Sequence, residues 1–222
     1  MKNNIRHISF IMDGNNRWSK KNNADLESSY KRGVDNLLKH AEYCFLYHKV
    51  KFVSAFALSS HNLSRSKKII SPIFKLLDIY LDEFLSSTDK YKFNIKFIGN
   101  FEIFNSETKT KLKTINNKKN YTKTLIIALN YSGSTDIINA SNMFFNNKNK
   151  KLTYANFLST SEFPNPDLLI RTGGYKRLSD YFLFQISFTE FFFLNTLWPD
   201  FNKKSINKII EKYLKIERKF GK

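Results

Sequence analysis

Six short apolar runs divide the chain, and the stretches between them have helical patterns. The runs cover residues 7–12, 50–58, 93–98, 124–129, 167–171 and 191–197. Their hydrophobicity is continuous rather than alternating, which is typical of strands that are buried on both faces. The pattern therefore predicts an α/β fold with a mostly parallel sheet and helices on both sides.

A stripe of apolar residues at helical spacing lies between the second and third runs. It consists of Ile69, Ile73, Leu76, Leu77, Tyr80 and Phe84. Packing into the core is the favoured interpretation. A helix that lines a channel for an apolar ligand would show the same pattern, so the sequence does not separate the two.

The length of 222 residues fits one large domain, and no linker or internal repeat divides the chain. Cys44 is the single cysteine, so no disulfide can form within the chain. The N-terminal apolar run is too short for a signal peptide, and no apolar segment of about 18 residues exists to span a bilayer. We therefore expect a soluble cytoplasmic protein.

The net charge of +18 and the isoelectric point near 9.8 allow several kinds of partner. These are nucleic acid, an anionic membrane surface and a phosphorylated small substrate. A lysine-rich bias spread over a solvated surface would give the same values. Charge alone does not decide between these interpretations.

Five of the seven glycines follow directly after a predicted strand. They are Gly14, Gly99, Gly133, Gly173 and Gly174. In open α/β sheets ligands bind at the carboxyl ends of the strands, where glycine lets backbone amides approach an anion closely. Ordinary turn chemistry explains each glycine singly, but charged and amide side chains accompany three of these segments and make them site candidates.

The segment MDGNNRW, residues 12–18, carries the first of these site candidates. A loop that leads into a helix attracts phosphate, and Arg17 adds a guanidinium suited to a diphosphate. Asp13 would repel the same anion unless a cation joins them. Since Mg²⁺ is typically held by one or two carboxylates and phosphate oxygens, we expect Asp13 to be its protein ligand.

The segment PDLLIRTGGYKRLSD, residues 166–180, carries a second anion site. Arg171, Lys176, Arg177 and Ser179 surround two glycines there. Alone this could be a solvated basic loop. Together with the first segment at the same sheet edge, it predicts two phosphorylated ligands or one long one.

These motifs resemble the cis-prenyltransferase family, and most closely its bacterial branch. The similar segments are HISFIMDGNNRW (7–18), ALSSHNLSR (57–65), DLLIRTGGYKRLSDYFLFQISFTEFFFLNTLWPDF (167–201) and ERKFG (217–221). The resemblance covers nearly the whole chain. It implies one catalytic domain over residues 1–222, six largely parallel strands, a hydrophobic tunnel and a homodimer.

The resemblance also implies a reaction and a cofactor. An allylic diphosphate, such as farnesyl diphosphate, is elongated by successive additions of isopentenyl diphosphate, and each addition creates a cis double bond. A long product such as undecaprenyl diphosphate serves as a precursor of the lipid carrier for cell-wall synthesis. Mg²⁺ is required, and the product's release implies peripheral contact with the inner face of the membrane.

Site roles follow from the same resemblance. Asp13 would assist Mg²⁺-dependent departure of the allylic diphosphate, Asn62 would lie near the reacting carbons, and Glu190 matches a metal-associated carboxylate. Trp198, in the WPD motif, would be structural. The expected substrate-binding residues are Gly14, Asn15, Arg17, Trp18, Ser59 and Arg65, with Arg171, Arg177 and Ser179 for isopentenyl diphosphate.

The chain departs from the family pattern mainly in its first half. Leu26 and Tyr30 stand where an arginine and a histidine usually help to bind the allylic diphosphate, and His61 replaces an acid. Other replacements are Asn16, Leu63 and Phe184, and the cations that could compensate are Lys20, Lys21, Lys31 and Arg32. A changed starter or a shorter product is therefore an open alternative.

The four histidines have no metal-ligand spacing, which suits a reaction that needs no histidine base. We expect His40 and His48 to be solvated or capping residues of one amphipathic helix.

Three rival functions remain to be weighed. A non-catalytic relative that only binds lipid would be expected to lose Asp13 or the arginines, yet these are present. No motif supports a nucleic-acid module, so no nucleic-acid partner is expected. Asp78 and Asp82 lie one helical turn apart, as in trans-prenyltransferases, but that class is all-helical, and these acids are interpreted as a solvated helix face.

Overall fold

The computed structural model describes residues 4–87 and 90–218. They form a single α/β domain around a six-stranded sheet in which every neighbouring pair of strands is parallel. The strands are β1 (His7–Ile11), β2 (Phe52–Phe56), β3 (Asn94–Ile98), β4 (Thr124–Ala128), β5 (Leu168–Arg171) and β6 (Glu190–Phe193), in the spatial order β3-β4-β2-β1-β5-β6. This confirms the predicted fold class. The last residues of the ERKFG motif, 219–221, lie outside the described residues.

Five helices lie between the strands from β1 to β5, the link from β5 to β6 (residues 172–189) contains no α-helix, and a sixth helix follows β6. The helices are α1 (Asn15–Lys21), α2 (Leu26–Tyr47), α3 (Lys67–Ser86), α4 (Ser106–Asn117), α5 (Gly133–Phe145) and α6 (Lys203–Leu214). Polar side chains begin several of them: the Asp25 carboxylate accepts from the amide of Ser28 at α2, and the Asn105 side chain accepts from the amide of Thr108 at α4. Among the described residues, no helix is both long enough and apolar enough to cross a membrane.

The strand register aligns three carboxyl ends. Ile11, the last residue of β1, pairs with Phe56 of β2 on one side and with Arg171 of β5 on the other. The strand that follows β1 in the chain, β2, lies on one side of β1, and β5 lies on the other side of β1. A crevice opens at such a switch point in α/β sheets, so the residues after β1, β2 and β5 are brought to one place.

Each face of the sheet packs against its own apolar layer. The larger layer includes Ile8, Phe10 and Val53 and lies under α2, α3, α4 and α6. The smaller layer includes Ile126 and Leu169 and is completed by residues 178–186, which follow β5. Burial of both faces explains why β1 to β5 read as continuous apolar runs, whereas β6 at the sheet edge is only partly buried.

The expectation for His40 was wrong. His40 is buried, its Nε2 donates a hydrogen bond of 3.0 Å to the Phe201 carbonyl oxygen, and its ring packs edge-on against Trp198. Burial lowers its pKa, so the neutral ring is favoured. His48 does cap the C-terminus of α2, as its amide donates to the carbonyl of Cys44.

Candidate active site

A cleft of about 760 Å³ opens at the carboxyl edge of β1, β2 and β5. It gathers ten of the predicted site residues, which are Asp13, Gly14, Asn15, Arg17, Ser59, Asn62, Arg65, Arg171, Arg177 and Ser179. Trp18, Lys176 and Glu190 are described but do not line it. Ten of these thirteen candidate residues therefore lie together in the cleft, and three do not.

Asp13 lies between two arginines at the centre of the cleft. Its Oδ1 is 3.0 Å from Nη2 of Arg17, and its Oδ2 is 2.9 Å from Nη2 of Arg171. The Asp13 side chain is 27% exposed, so the carboxylate can still reach a ligand. One carboxylate flanked by two guanidinium groups creates a site with a net positive charge.

Arg171 is the buried member of this group, because it ends β5 inside the sheet. Its side chain is 4% exposed, and Nη1 donates to Oγ of Ser179 at 2.8 Å and to the carbonyl oxygen of Arg177. A buried charge is costly unless it is paired and hydrogen-bonded. The pair with Asp13 and these two acceptors offset that cost and fix the guanidinium.

Two glycines allow the walls of the cleft to approach each other. Gly14 has φ of +120°, and a Cβ there would lie 2.9 Å from Cδ2 of Leu197. At Gly173, with φ of +86°, a Cβ would lie 2.5 Å from Nη2 of Arg17 and 3.0 Å from the backbone oxygen of Asp13. Only glycine fits both the backbone angle and the space, which supports the interpretation of these glycines as site features.

The loop after Arg177 is held by Asp180. Its carboxylate accepts from Oγ of Ser132 at 2.5 Å and from the amide and the hydroxyl of Ser134 at 2.9 and 2.7 Å. Partial burial acts to raise the pKa of Asp180, but these bonds lower it below its ordinary value. Ser179 and Asp180 both have positive φ, of 54° and 65°. The anchor at Asp180 therefore stabilises a strained turn that presents Ser179 to the cleft.

The third wall of the cleft follows β2. The Ser59 side chain accepts from the amide of His61 and begins a short 3₁₀ helix, Ser60–Ser64, that carries Asn62. Nε2 of His61 lies 3.4 Å from Oδ2 of Asp180, so this replacement joins two walls of the cleft. In the sequence His61 stood out only as a departure from the family pattern, and nothing there indicated this contact.

An apolar pocket of about 120 Å³ continues the cleft between the sheet, α2 and α3. Six residues line both spaces: Met12, Asn15, Tyr30, Phe56, Ala57 and Ile73. The deeper lining includes Leu76, Leu77, Tyr80 and Phe84 from the predicted helical stripe. The stripe thus serves as a channel wall as well as core, which the sequence could not distinguish.

Tyr30 marks the junction of the cleft and the pocket. Burial raises the pKa of its hydroxyl, and the charge of Arg65 acts against that shift. The four cations considered as compensation, Lys20, Lys21, Lys31 and Arg32, do not line the cleft in the described structure. Lys31 pairs with Asp35 at 3.1 Å instead. Arg65 is the cation that the structure brings towards Tyr30.

The two tryptophans lie outside the charged centre. Trp198 is fully buried and its Nε1 donates to the Gly33 carbonyl at 2.8 Å. Nε1 of Trp18 donates to Asp200 at 2.7 Å, and its ring lies 5.1 Å from the guanidinium of Arg32. Both therefore hold α1 and α2 to the Trp198–Asp200 turn, and direct substrate contact by Trp18 does not follow from this placement.

Glu190 requires a correction. It begins β6 and pairs with Leu168, the first residue of β5, whereas Arg171 ends β5. Because a strand rises about 3.3 Å per residue, three residues separate Glu190 from the Arg171 row by about 10 Å. A metal ion held jointly by Asp13 and Glu190 of one chain does not fit this geometry. The sixth apolar run begins at residue 191, so the sequence pattern already placed Glu190 at the amino end of that strand.

Tyr175 is a cleft residue that sequence reasoning missed. Its ring lies in the cleft beside three arginine side chains. Its position in TGGYKR, between two predicted anion-binding arginines, was the available signal.

Comparison with known proteins agrees with this geometry. Residues 11–221 match the family model described as "Putative undecaprenyl diphosphate synthase". A farnesyl-diphosphate-specific ditrans,polycis-undecaprenyl-diphosphate synthase of Buchnera aphidicola is 35% identical over 100% of this chain and 92% of its own length. An isoprenyl transferase of Helicobacter pylori is 32% identical over 100% of this chain and 98% of its own.

Solved structures show the same fold. A lavandulyl diphosphate synthase from Lavandula x intermedia, in complex with dimethylallyl diphosphate, has a TM-score of 0.87 at 26% identity, with 98% of each chain covered. A probable undecaprenyl diphosphate synthase from Campylobacter jejuni has a TM-score of 0.80 at 29% identity, covering 99% of this chain and 100% of that one. With its cleft, its sheet and its sequence all in agreement, this chain belongs to the undecaprenyl diphosphate synthase family of cis-prenyltransferases.

Proposed function

We propose that this protein condenses isopentenyl diphosphate onto an allylic diphosphate to make a long polyprenyl diphosphate. The starter is farnesyl diphosphate and the product is undecaprenyl diphosphate or a similar chain, as the names of the relatives suggest. One observation carries the proposal: a cationic cleft continues directly into an apolar pocket. That combination suits an amphiphile with an anionic head and a hydrocarbon tail.

The two diphosphates take different walls of the cleft in this proposal. Gly14, Asn15 and Arg17, which follow β1, cradle the allylic diphosphate. Because Asn15 lines both the cleft and the apolar pocket, the hydrocarbon tail of this substrate enters the pocket beside Asn15. Isopentenyl diphosphate binds to Arg171, Arg177 and Ser179. Guanidinium groups form paired hydrogen bonds with phosphate oxygens, and this fixes both ligands for reaction.

The residues present fit Mg²⁺. Asp13 supplies one partly exposed carboxylate among cations that bind phosphate, and Mg²⁺ in proteins commonly has one or two carboxylates with substrate phosphates as further ligands. In the described part of the chain, no cluster of three acidic, histidine or cysteine side chains forms a metal cage. When bound, Mg²⁺ would add positive charge where the diphosphate leaves.

The reaction breaks the bond between C1 of the allylic substrate and its diphosphate oxygen, and the electron pair leaves with the diphosphate. The double bond of isopentenyl diphosphate then bonds to C1, and a proton is lost from C2 of the added unit. Negative charge grows on the departing group, and Arg17 is placed to stabilise it. Asn62 lies in the same cleft and orients the reacting carbons.

We propose the whole chain as one catalytic domain that acts as a homodimer. Four exposed apolar residues follow the loop of Asp180: Leu183, Phe184, Phe188 and Phe191. Phe188 is 63% exposed, and several exposed apolar side chains within one short segment suit an interface with a second copy of the chain. In this proposal the protein is cytoplasmic, and its basic surface contacts the inner face of the membrane when product is released.

The test is to incubate purified protein with labelled isopentenyl diphosphate and farnesyl diphosphate, with Mg²⁺ or with EDTA, and to size the lipid products. We expect a Mg²⁺-dependent ladder that ends at one long length. Dimethylallyl and geranyl diphosphate are compared as starters, because Tyr30 alters the junction of the cleft and the pocket. Folded protein that forms no product from any starter would contradict the proposal and support a non-catalytic relative.

A further inference from the structure

Three guanidinium groups surround the ring of Tyr175. The central guanidinium carbons of Arg177, Arg17 and Arg171 lie 4.1, 4.8 and 5.9 Å from the ring centroid. All are within the distance of about 6 Å at which a cation is attracted to an aromatic face. Tyr175 is 44% exposed and lines the cleft, so the ring is a surface feature of the site rather than part of the core.

The three arginines come from different elements. Arg17 lies on α1, Arg171 ends β5, and Arg177 lies in the loop that follows β5. The three positive charges repel each other, and this repulsion opposes their gathering around one ring. Attraction to a single ring between them acts in the opposite direction.

The three arginines differ in their acidic partners. Arg17 and Arg171 share the carboxylate of Asp13. No carboxylate of the described residues lies within 4.0 Å of the Arg177 guanidinium, which lies over the Tyr175 ring instead. An acid would fix Arg177 but would also cancel its charge. An aromatic ring fixes a guanidinium and leaves its full charge available to an anion.

We propose that Tyr175 is a positioning residue that holds Arg17 and Arg177 ready for a diphosphate. It acts on the anion through the arginines and has no part in bond formation. This inference rests on the proposed function, since it names the side chain that organises the same site. Its physical basis is preorganisation: a fixed guanidinium loses less freedom when the anion binds.

The test measures the binding of inorganic diphosphate by calorimetry in the presence of EDTA, so that no turnover or metal is needed. Tyr175→Leu removes the aromatic ring and keeps an apolar side chain, whereas Tyr175→Phe keeps the ring and loses the hydroxyl. We expect the leucine variant to bind about tenfold more weakly and the phenylalanine variant to stay within about twofold of the wild type. Tyr47→Leu, at an exposed tyrosine on α2, is the matched control and should bind as the wild type does.

A double-mutant cycle separates positioning from a general loss of structure. In an Arg177→Ala background, Tyr175→Leu should cost much less affinity than in the wild type, because the ring then has lost its nearest guanidinium. Thermal unfolding of each variant shows that the fold is retained.

Several results would overturn the inference. The first is diphosphate binding by Tyr175→Leu that is as tight as that of the wild type or tighter. The second is an equal loss of affinity in Tyr175→Leu and Tyr175→Phe. The third is a loss of affinity from Tyr175→Leu that is as large in the Arg177→Ala background as in the wild type. The binding assay is independent of catalysis. A protein that shows the expected affinities but makes no polyprenyl product would contradict the proposed function and leave the role of Tyr175 intact.

Discussion

Two aspartates at opposite ends of β1 and β5 show how alike a carboxylate proposed to serve a ligand and a structural carboxylate can look. Asp13 follows β1 at the carboxyl edge and pairs with Arg17 and Arg171. Asp167 precedes β5 at the amino edge and pairs with Arg218 at 3.3 Å. Both are partly buried and both contact arginine.

Their other partners differ. Asp167 is 18% exposed and also accepts from the backbone amides of Arg6 and His7, at 2.7 and 3.0 Å. It therefore closes the start of β1 onto the start of β5. Asp13 contacts only side chains through its carboxylate in the described structure and lines an open cleft. A carboxylate bonded to backbone amides supports the fold, whereas one that contacts only arginine side chains in an open cleft can also reach a ligand.

The largest expected effect comes from removing the carboxylate at the carboxyl edge. Asp13→Ala should lower turnover by about a thousandfold, because the charge that develops on the leaving diphosphate loses its stabilising arrangement. The protein should remain folded. Steady-state kinetics and urea unfolding test both parts, and near-normal turnover would remove Asp13 from its role.

The amino edge should respond to acid. Burial lowers the pKa of His7 to about 4, and its ring contacts the Pro164 carbonyl at 2.7 Å and Ser54 Oγ at 2.8 Å. The unfolded chain, with a pKa near 6.5, therefore binds more protons than the folded one between these values. The free energy of unfolding should fall by about 3 kcal/mol from pH 6.5 to pH 4 through this group alone.

Urea unfolding at a series of pH values measures that dependence. His7→Gln should show a shallower pH slope than the wild type, and part of the slope should remain because burial also lowers the pKa of His40. An unchanged slope in the variant would show that His7 is not the group that titrates.

Asp167→Ala should produce the converse of Asp13→Ala. It leaves two backbone amides and Arg218 without this acceptor, which should reduce the free energy of unfolding by about 2 kcal/mol. Turnover per folded molecule should stay close to that of the wild type. If Asp167→Ala kept wild-type stability but lost activity, Asp167 would serve turnover as Asp13 is proposed to do, and the contrast between the two aspartates would be wrong.

The smallest effect in free energy concerns the pocket. Ala57 lines both the cleft and the pocket, so Ala57→Leu narrows the passage between them. Products should become shorter while the first condensation continues. Sizing of the labelled lipids tests this, and an unchanged product length would place the growing chain elsewhere.

Much of the fold followed from the sequence because buried parallel strands leave an unmistakable apolar pattern. All six runs became strands, and the residues directly after β1 and β5 met at one edge, as parallel strands require. The apolar pattern was therefore enough to bring Asp13 and Arg171 to the same edge, although it did not predict their 2.9 Å contact.

Contacts between loops were not predictable in this way. Tyr175 contacts Arg17, and His61 contacts Asp180. These residues lie in turns and short segments whose backbone conformation depends on tertiary packing. The position of Glu190 failed for a different reason. Resemblance assigned it a role near a metal, although the apolar run from residue 191 placed it at the amino end of β6, and the parallel register puts that end away from Arg171.

The in-register pairing of β1 with β5 has a consequence for how this protein can change its length. Ile11 opposes Arg171, and neighbouring strand residues point to opposite faces. Inserting one residue in β5 before Arg171 would turn the guanidinium away from Asp13 and present Ile170 in its place. Variation in length is therefore confined to segments far from this edge, such as residues 146–153 after α5, where gain or loss of residues leaves the alignment untouched.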